Sequence, residues 1–201
     1  MKPIKLHNAG FTLVEMLVSL ALFTIIATMA VGTLLVLISG NARVVGEQTA
    51  LTTLSFALDS MTREIRTGSE YYCDTATQVG SSAVYNSATA AQNCINGDVG
   101  LSFREAGESI TNGTGAKRIA YYFSNDTLWR KVGGNVAEPI VTNDVRLTNA
   151  RFVVTGAAPL GTSTDIVQPT VTILLEAQSS TTDSTKSFTL QSTVTQRSLD
   201  L

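Results

Sequence analysis

The sequence predicts an α+β fold: a long N-terminal α-helix, half membrane-spanning and half amphipathic, packed on an antiparallel β-sheet domain. Three observations predict it. Residues 16–38 carry no charge and are mostly apolar. Val44, Leu51, Leu54, Leu58, Met61 and Ile65 then recur at spacings of seven, three, four, three and four, which is one stripe on a helix. From residue 99 onward, short runs rich in Val, Ile, Thr, Tyr and Phe alternate with turn residues, the pattern of strands.

The N-terminus comes first. Residues 1–10, MKPIKLHNAG, are short, basic and polar, and the apolar run of residues 11–38 follows at once. A cleaved secretory signal has an apolar stretch of about 7–15 residues. This one is longer: at about 1.5 Å per residue it reaches about 42 Å, enough to cross a bilayer core of about 30 Å. Lys2 and Lys5 place its start on the cytoplasmic side. A plain anchor does not need Glu15, which lies five positions into the run. A carboxylate in hydrocarbon is costly and usually has a partner or a task. The competing reading is a side chain that reaches the headgroup layer from the helix end.

Gly10-Phe11-Thr12-Leu13-Val14-Glu15, followed by the uncharged run, resembles the leader junction of type IV pilins and type II secretion pseudopilins. The resemblance covers about the first 40 residues. It implies cleavage by a prepilin peptidase after Gly10, N-methylation of the new terminus at Phe11, and a role for Glu15 as an assembly contact. It also implies the partners: other pilin or pseudopilin subunits met through the N-terminal helix, an inner-membrane assembly platform, and membrane lipid before assembly. The implied location is the bacterial inner membrane, single-pass with the globular domain outside the cytoplasm, and then a pilus or pseudopilus. The domain plan is a leader at 1–10, a transmembrane and polymerisation helix at 11–38, an amphipathic stem at 39–68, and a globular β-rich domain at 69–201.

The stem follows Ser39-Gly40-Asn41, which interrupts the apolar run; Gly32 and Gly40 are weak helix formers that let a helix bend or melt locally. For Gly32, close helix packing is the preferred reading. Arg43, Glu47, Gln48, Asp59, Arg63 and Glu64 lie largely away from the apolar stripe. The helix is expected to end near Arg66-Thr67-Gly68, with the glycine as a cap.

Residues 70–97 read as a long polar loop with a local turn of helix. Cys73 and Cys94 bound it, and two cysteines in an exported domain read as a disulfide rather than a redox or metal site. Strands are expected at 99–103, 118–123, 127–132, 145–147, 150–155, 170–177 and 187–196, with a hairpin turn at Ser124-Asn125-Asp126. Phe188, Leu190, Ser192, Val194 and Gln196 share one face of the last strand, as in a sheet buried on one side. The hairpin residues Ile119, Tyr121, Leu128 and Arg130 resemble the I-x-Y, turn, L-x-R pattern of J-type minor pseudopilins and larger minor pilins. Those chains often finish with a strand, an arginine and an asparagine; here Arg197 is followed by Ser198. This likeness favours a low-copy tip subunit.

Composition excludes much else. His7 is the only histidine, so a chain cleaved after Gly10 has none for a Ser/His or Cys/His couple or a histidine-bound zinc. Cleavage also removes Lys2 and Lys5, leaving 12 basic against 16 acidic side chains, or −4. With no basic cluster beyond Lys5, a nucleic-acid partner is not expected. Gly113-Thr114-Gly115-Ala116-Lys117 resembles a phosphate loop only superficially, because no strand precedes it. Asn143-Asp144 and Asp183 read as solvated loop carboxylates rather than calcium ligands. Asn112 and Asn125 begin glycosylation sequons. No catalytic residue, metal or cofactor is expected. The expected function is a minor pilin or pseudopilin; the alternative is a tip binding module that contacts a surface, a substrate or DNA.

Overall fold

The computed structural model of the chain describes residues 10–80, 91–106, 118–157, 167–179 and 187–197. The first nine residues, the glycine-rich run at 113–117, the sequon at Asn112, Asp183 and Ser198 lie outside them. Contacts divide the chain into two units, Met1–Val44 and Val45–Leu201.

Helix α1 runs Leu13–Thr67 without interruption. Gly40 interrupts the apolar run but does not break the helix, which is continuous as the fold class expects. One helix-poor residue costs about 1 kcal/mol, which the flanking good helix formers offset. A Cβ at Gly32 or Gly40 would meet nothing within 4 Å beyond the backbone of its own helical turns.

In the second unit, α1 buries Ala50, Leu54, Ala57, Met61 and Ile65. This stripe differs from the expected one at its start. Leu51 is 41% exposed, and Ala50 and Ala57 take the inward positions. Small side chains let the helix approach the sheets closely, and apolar size alone points to the wrong neighbour. Val44, in the first unit, is exposed as well.

The described residues of the 70–97 stretch are more regular than their composition suggests. They hold β1 (Ser69–Asp74), the short α2 (Ala76–Val79) and the start of β2 (Cys94–Asp98). The polar residues of β1 hid its alternation, in which Tyr71 and Cys73 point inward. Next come β3 (Gly100–Arg104), β4 (Arg118–Ser124), β5 (Thr127–Val132) and the two-residue β6 (Glu138–Pro139). Last are β7 (Val145–Thr155), β8 (Thr170–Ser179) and β9 (Ser187–Thr195). The strands expected at 145–147 and 150–155 are one strand, β7, with a register shift between Leu147 and Asn149.

Two antiparallel sheets result, in the orders β1-β3-β4-β5-β6 and β2-β7-β8-β9. The β4–β5 turn falls at Asn125 and Asp126, whose φ angles of 51° and 58° are those of a tight primed hairpin turn. The two sheets and the stem of α1 share one core. It includes Leu54, Met61, Tyr71, Phe103, Phe152 and Ile173.

Candidate functional site

The N-terminal junction opens on Gly10 and Phe11, both exposed, with Phe11 at 78%. The helix begins two residues later. Thr12 caps it, since its hydroxyl accepts the Glu15 N–H at 3.3 Å and its carbonyl accepts the Met16 N–H at 3.2 Å. Thr-x-x-Glu is the spacing of a capping box, and a carboxylate in the first turn also faces the positive end of the helix dipole. Glu15 therefore has a local reason for its place, a signal the sequence carried in plain view.

Beyond Glu15 the helix is apolar in a stricter sense than composition shows. The hydroxyls of Ser19, Thr24, Thr28, Thr33 and Ser39 all donate to carbonyls three residues back, at 2.8–3.0 Å. Their polar atoms are satisfied within the helix, as a hydrocarbon surrounding requires. The large apolar side chains between Phe11 and Ile38 are exposed in the isolated chain. This helix is long and apolar enough to cross a membrane.

In the second unit, three residues from three elements converge. Glu64 of α1 accepts two bonds from Arg130 of β5, Nε to Oε2 at 3.1 Å and Nη2 to Oε1 at 2.9 Å. The Tyr121 hydroxyl of β4 donates to Glu64 Oε2 at 2.6 Å. Burial, and then the bond to Glu64, pushes the Tyr121 phenol well above its usual range. Burial works against the Arg130 charge, but Glu64 more than offsets it and raises the guanidinium pKa. The hairpin residues Tyr121 and Arg130, singled out by resemblance, thus act on one carboxylate. Sequence reasoning left Glu64 among the outward residues of the stem, and nothing in its local spacing marks it.

The end of α1 is closed by side chain and distant backbone together. Gly68 N–H donates to the carbonyls of Glu64 and Ile65. The Tyr71 hydroxyl reaches the carbonyls of Ile65 at 2.7 Å and Gly68 at 2.8 Å. Arg197 N–H donates to the Arg66 carbonyl at 2.8 Å. Gly68 is not among the residues with positive φ, so it is no left-handed cap. It is glycine because a Cβ there would collide with the Phe103 ring.

Nearby, Glu70 takes a positive φ of 53° and pairs with Arg104. Its second carboxylate oxygen lies 3.6 Å from the buried Arg118. Arg118 also donates to the Ser102 hydroxyl at 2.9 Å and the Glu70 carbonyl at 2.7 Å. This is a satisfied structural network. Cys73 and Cys94 are bonded to each other, with Cα atoms 6.1 Å apart. The bridge links β1 and β2, an edge strand from each sheet. Trp129 donates its indole N–H to the Ser124 carbonyl at 3.0 Å and packs within the hairpin. Among the described residues, no group of three or more His, Cys, Asp or Glu could hold a metal ion.

Comparison with curated proteins finds no match, and comparison with solved structures finds none. Residues 5–31 match the prokaryotic N-terminal methylation motif. That motif, with the apolar helix behind it, supports membrane anchoring and a type IV pilin-like subunit.

Proposed function

We propose that this chain is a minor pilin or pseudopilin, made as a membrane-anchored precursor and incorporated at the tip of a type IV pilus or type II secretion pseudopilus. One observation carries the proposal. The methylation motif takes in the end of a short basic leader and the apolar start of α1, where the hydroxyls of Ser19, Thr24, Thr28, Thr33 and Ser39 are satisfied within the helix. Cleavage after Gly10 frees an amine at Phe11, which is then methylated, and the helix stays in the product.

Assembly follows from charge. In a bundle of such helices, Glu15 of one subunit faces the Phe11 amine of a neighbour. Either charge alone is heavily penalised in low dielectric, and paired they fix the register. Apolar packing along 11–38 supplies the remaining attraction. The J-like rank within the family is supported by Ile119, Tyr121, Leu128 and Arg130 in the β4–β5 hairpin, where Tyr121 and Arg130 hold α1 through Glu64.

N-terminal mass analysis of the protein from a membrane fraction tests the reading. A chain that begins at N-methylated Phe11 supports it, and one that begins at Met1 or beyond residue 30 sinks it. Glu15→Ala is expected to be cleaved normally yet co-purify poorly with partner subunits. Normal incorporation of that variant removes the role assigned to Glu15.

A further inference from the structure

A sheet edge presents unpaired backbone groups that accept a further strand unless something spoils the pairing. The edges here are β1, β6, β2 and β9. Three of them are protected. Strand β1 slips register between Ser69 and Tyr72. Strand β6 is two residues long and ends in Pro139. Strand β2 slips between Cys94 and Asp98, around Gly97 at φ +70°. Strand β9 has none of these features. Its nine residues contain no proline, lysine or bulge, and they pair with β8 in unbroken register from Ser187 to Thr195.

A groove of about 520 Å³ lies between β9 and α1. Its walls are Ser192–Thr195 on the strand side and Asp59, Thr62, Arg63 and Arg66 on the helix side. The four strand residues span about 13 Å, the reach of a short stretch of added strand. The helix wall is basic on balance. Asp59 is its one acid, and it pairs with Arg63 at 3.2 Å on an exposed surface, where such a bond is weak and easily exchanged. Arg66 makes no ion pair among the described residues. Arg197, whose N–H bonds to the Arg66 carbonyl, adds a third arginine to the same end.

We propose that the β9 edge is a docking site for an extended acidic segment of a partner polypeptide. The segment pairs with β9 through backbone hydrogen bonds, and alternate side chains place carboxylates on Arg63 and Arg66. Main-chain pairing gives affinity in this mode, and the alternate side chains give specificity. A second copy of this chain is a poor occupant, because its own β9, SFTLQSTVT, brings no carboxylate. The inference rests on the second unit alone and stands or falls independently of the filament reading.

The test uses the full chain in detergent micelles and a fluorescein-labelled decapeptide of alternating Glu and Thr, followed by fluorescence anisotropy. Saturable binding is expected, at least about tenfold tighter than that of a Lys–Thr peptide. Methylation of alternate backbone nitrogens of the peptide, in the pairing phase, is expected to abolish it. Arg66→Glu, a surface change that leaves the fold alone, is expected to reverse the preference toward the Lys–Thr peptide. Equal affinity for the two peptides, insensitivity to backbone methylation, or an unchanged preference in Arg66→Glu overturns the proposal. So does a dimer in sedimentation that Thr193→Lys dissociates, since the edge then belongs to a second copy.

Discussion

Replacing Arg130 by Met and Tyr121 by Phe, singly and together, measures how firmly Glu64 fastens the β4–β5 hairpin to the helix. The Arg130 and Glu64 side chains are 31% and 30% exposed, between a surface pair and a buried one. Surface pairs contribute about 0.2–1 kcal/mol, and breaking a buried pair costs about 3–5. Two parallel bonds at 2.9 and 3.1 Å place Arg130→Met at about 2 kcal/mol. The Tyr121 bond has a charged acceptor, so Tyr121→Phe costs about 1.5 kcal/mol. Both groups share one carboxylate, so the double variant is expected to depart from additivity by at least about 0.5 kcal/mol. Urea unfolding of the full chain in detergent reads this out through Trp129, the only tryptophan and the neighbour of Arg130. Arg146→Met is the control. Its bond to Asp126 joins side chains 61% and 54% exposed and is expected to contribute less than about 0.5 kcal/mol. An Arg130→Met cost no larger than the control, or additivity within about 0.3 kcal/mol, refutes the idea of a clasp.

Gly68→Ala places a methyl against the Phe103 ring and 3.2 Å from the Arg104 carbonyl, and is expected to lower stability by about 1–3 kcal/mol in the same urea assay. Tyr121 also sets an alkaline limit. Its folded pKa lies above the ordinary value of 10.0, so the folded protein keeps a proton that the unfolded chain loses. Its contribution is complete below about pH 10 and declines above it, by at most about 1.4 kcal/mol per pH unit. Tyr121→Phe should flatten that decline in urea titrations from pH 8 to 11, and parallel slopes for the two proteins would rule the assignment out. Reduction of Cys73–Cys94, which closes a separation of 21 residues, is expected to cost about 3 kcal/mol. Free-thiol titration of the unreduced protein should find no reactive thiol, and two would refute the bridge.

The readable parts of this sequence are those governed by a single local period. The uncharged run and the alternation in β8 and β9 each report one face or one environment, so α1 and those strands fall where the pattern puts them. The N-terminal junction is readable for a similar reason: the motif is a fixed spacing along one segment. Elements that depend on distant neighbours were not readable. β1 is mostly polar because Glu70 and Asp74 serve a network and a phenol, Glu70 with Arg104 and Arg118, and Asp74 with Tyr72. Glu64 looks like a surface acid until two residues about 60 positions away turn toward it. Ala50 and Ala57 matter because they are small, a virtue that scales of apolar character rank low. Gly68 was flagged for the right position and the wrong reason, because the collision that demands it involves Phe103 in another element.

The bond from Arg197 to Arg66 sets an order of events. In a chain made from its N-terminus, the helix is in place while the rest is still being delivered. Yet the last turn of that helix keeps a carbonyl without its protein partner until residue 197 has arrived. A chain delivered only as far as β8 is therefore still an unfinished domain, with an open helix end and a β8 edge that lacks β9. Contacts of such long separation close late. The seam between α1 and β9 thus closes only when the two ends of the described fold, about 130 residues apart, are both present.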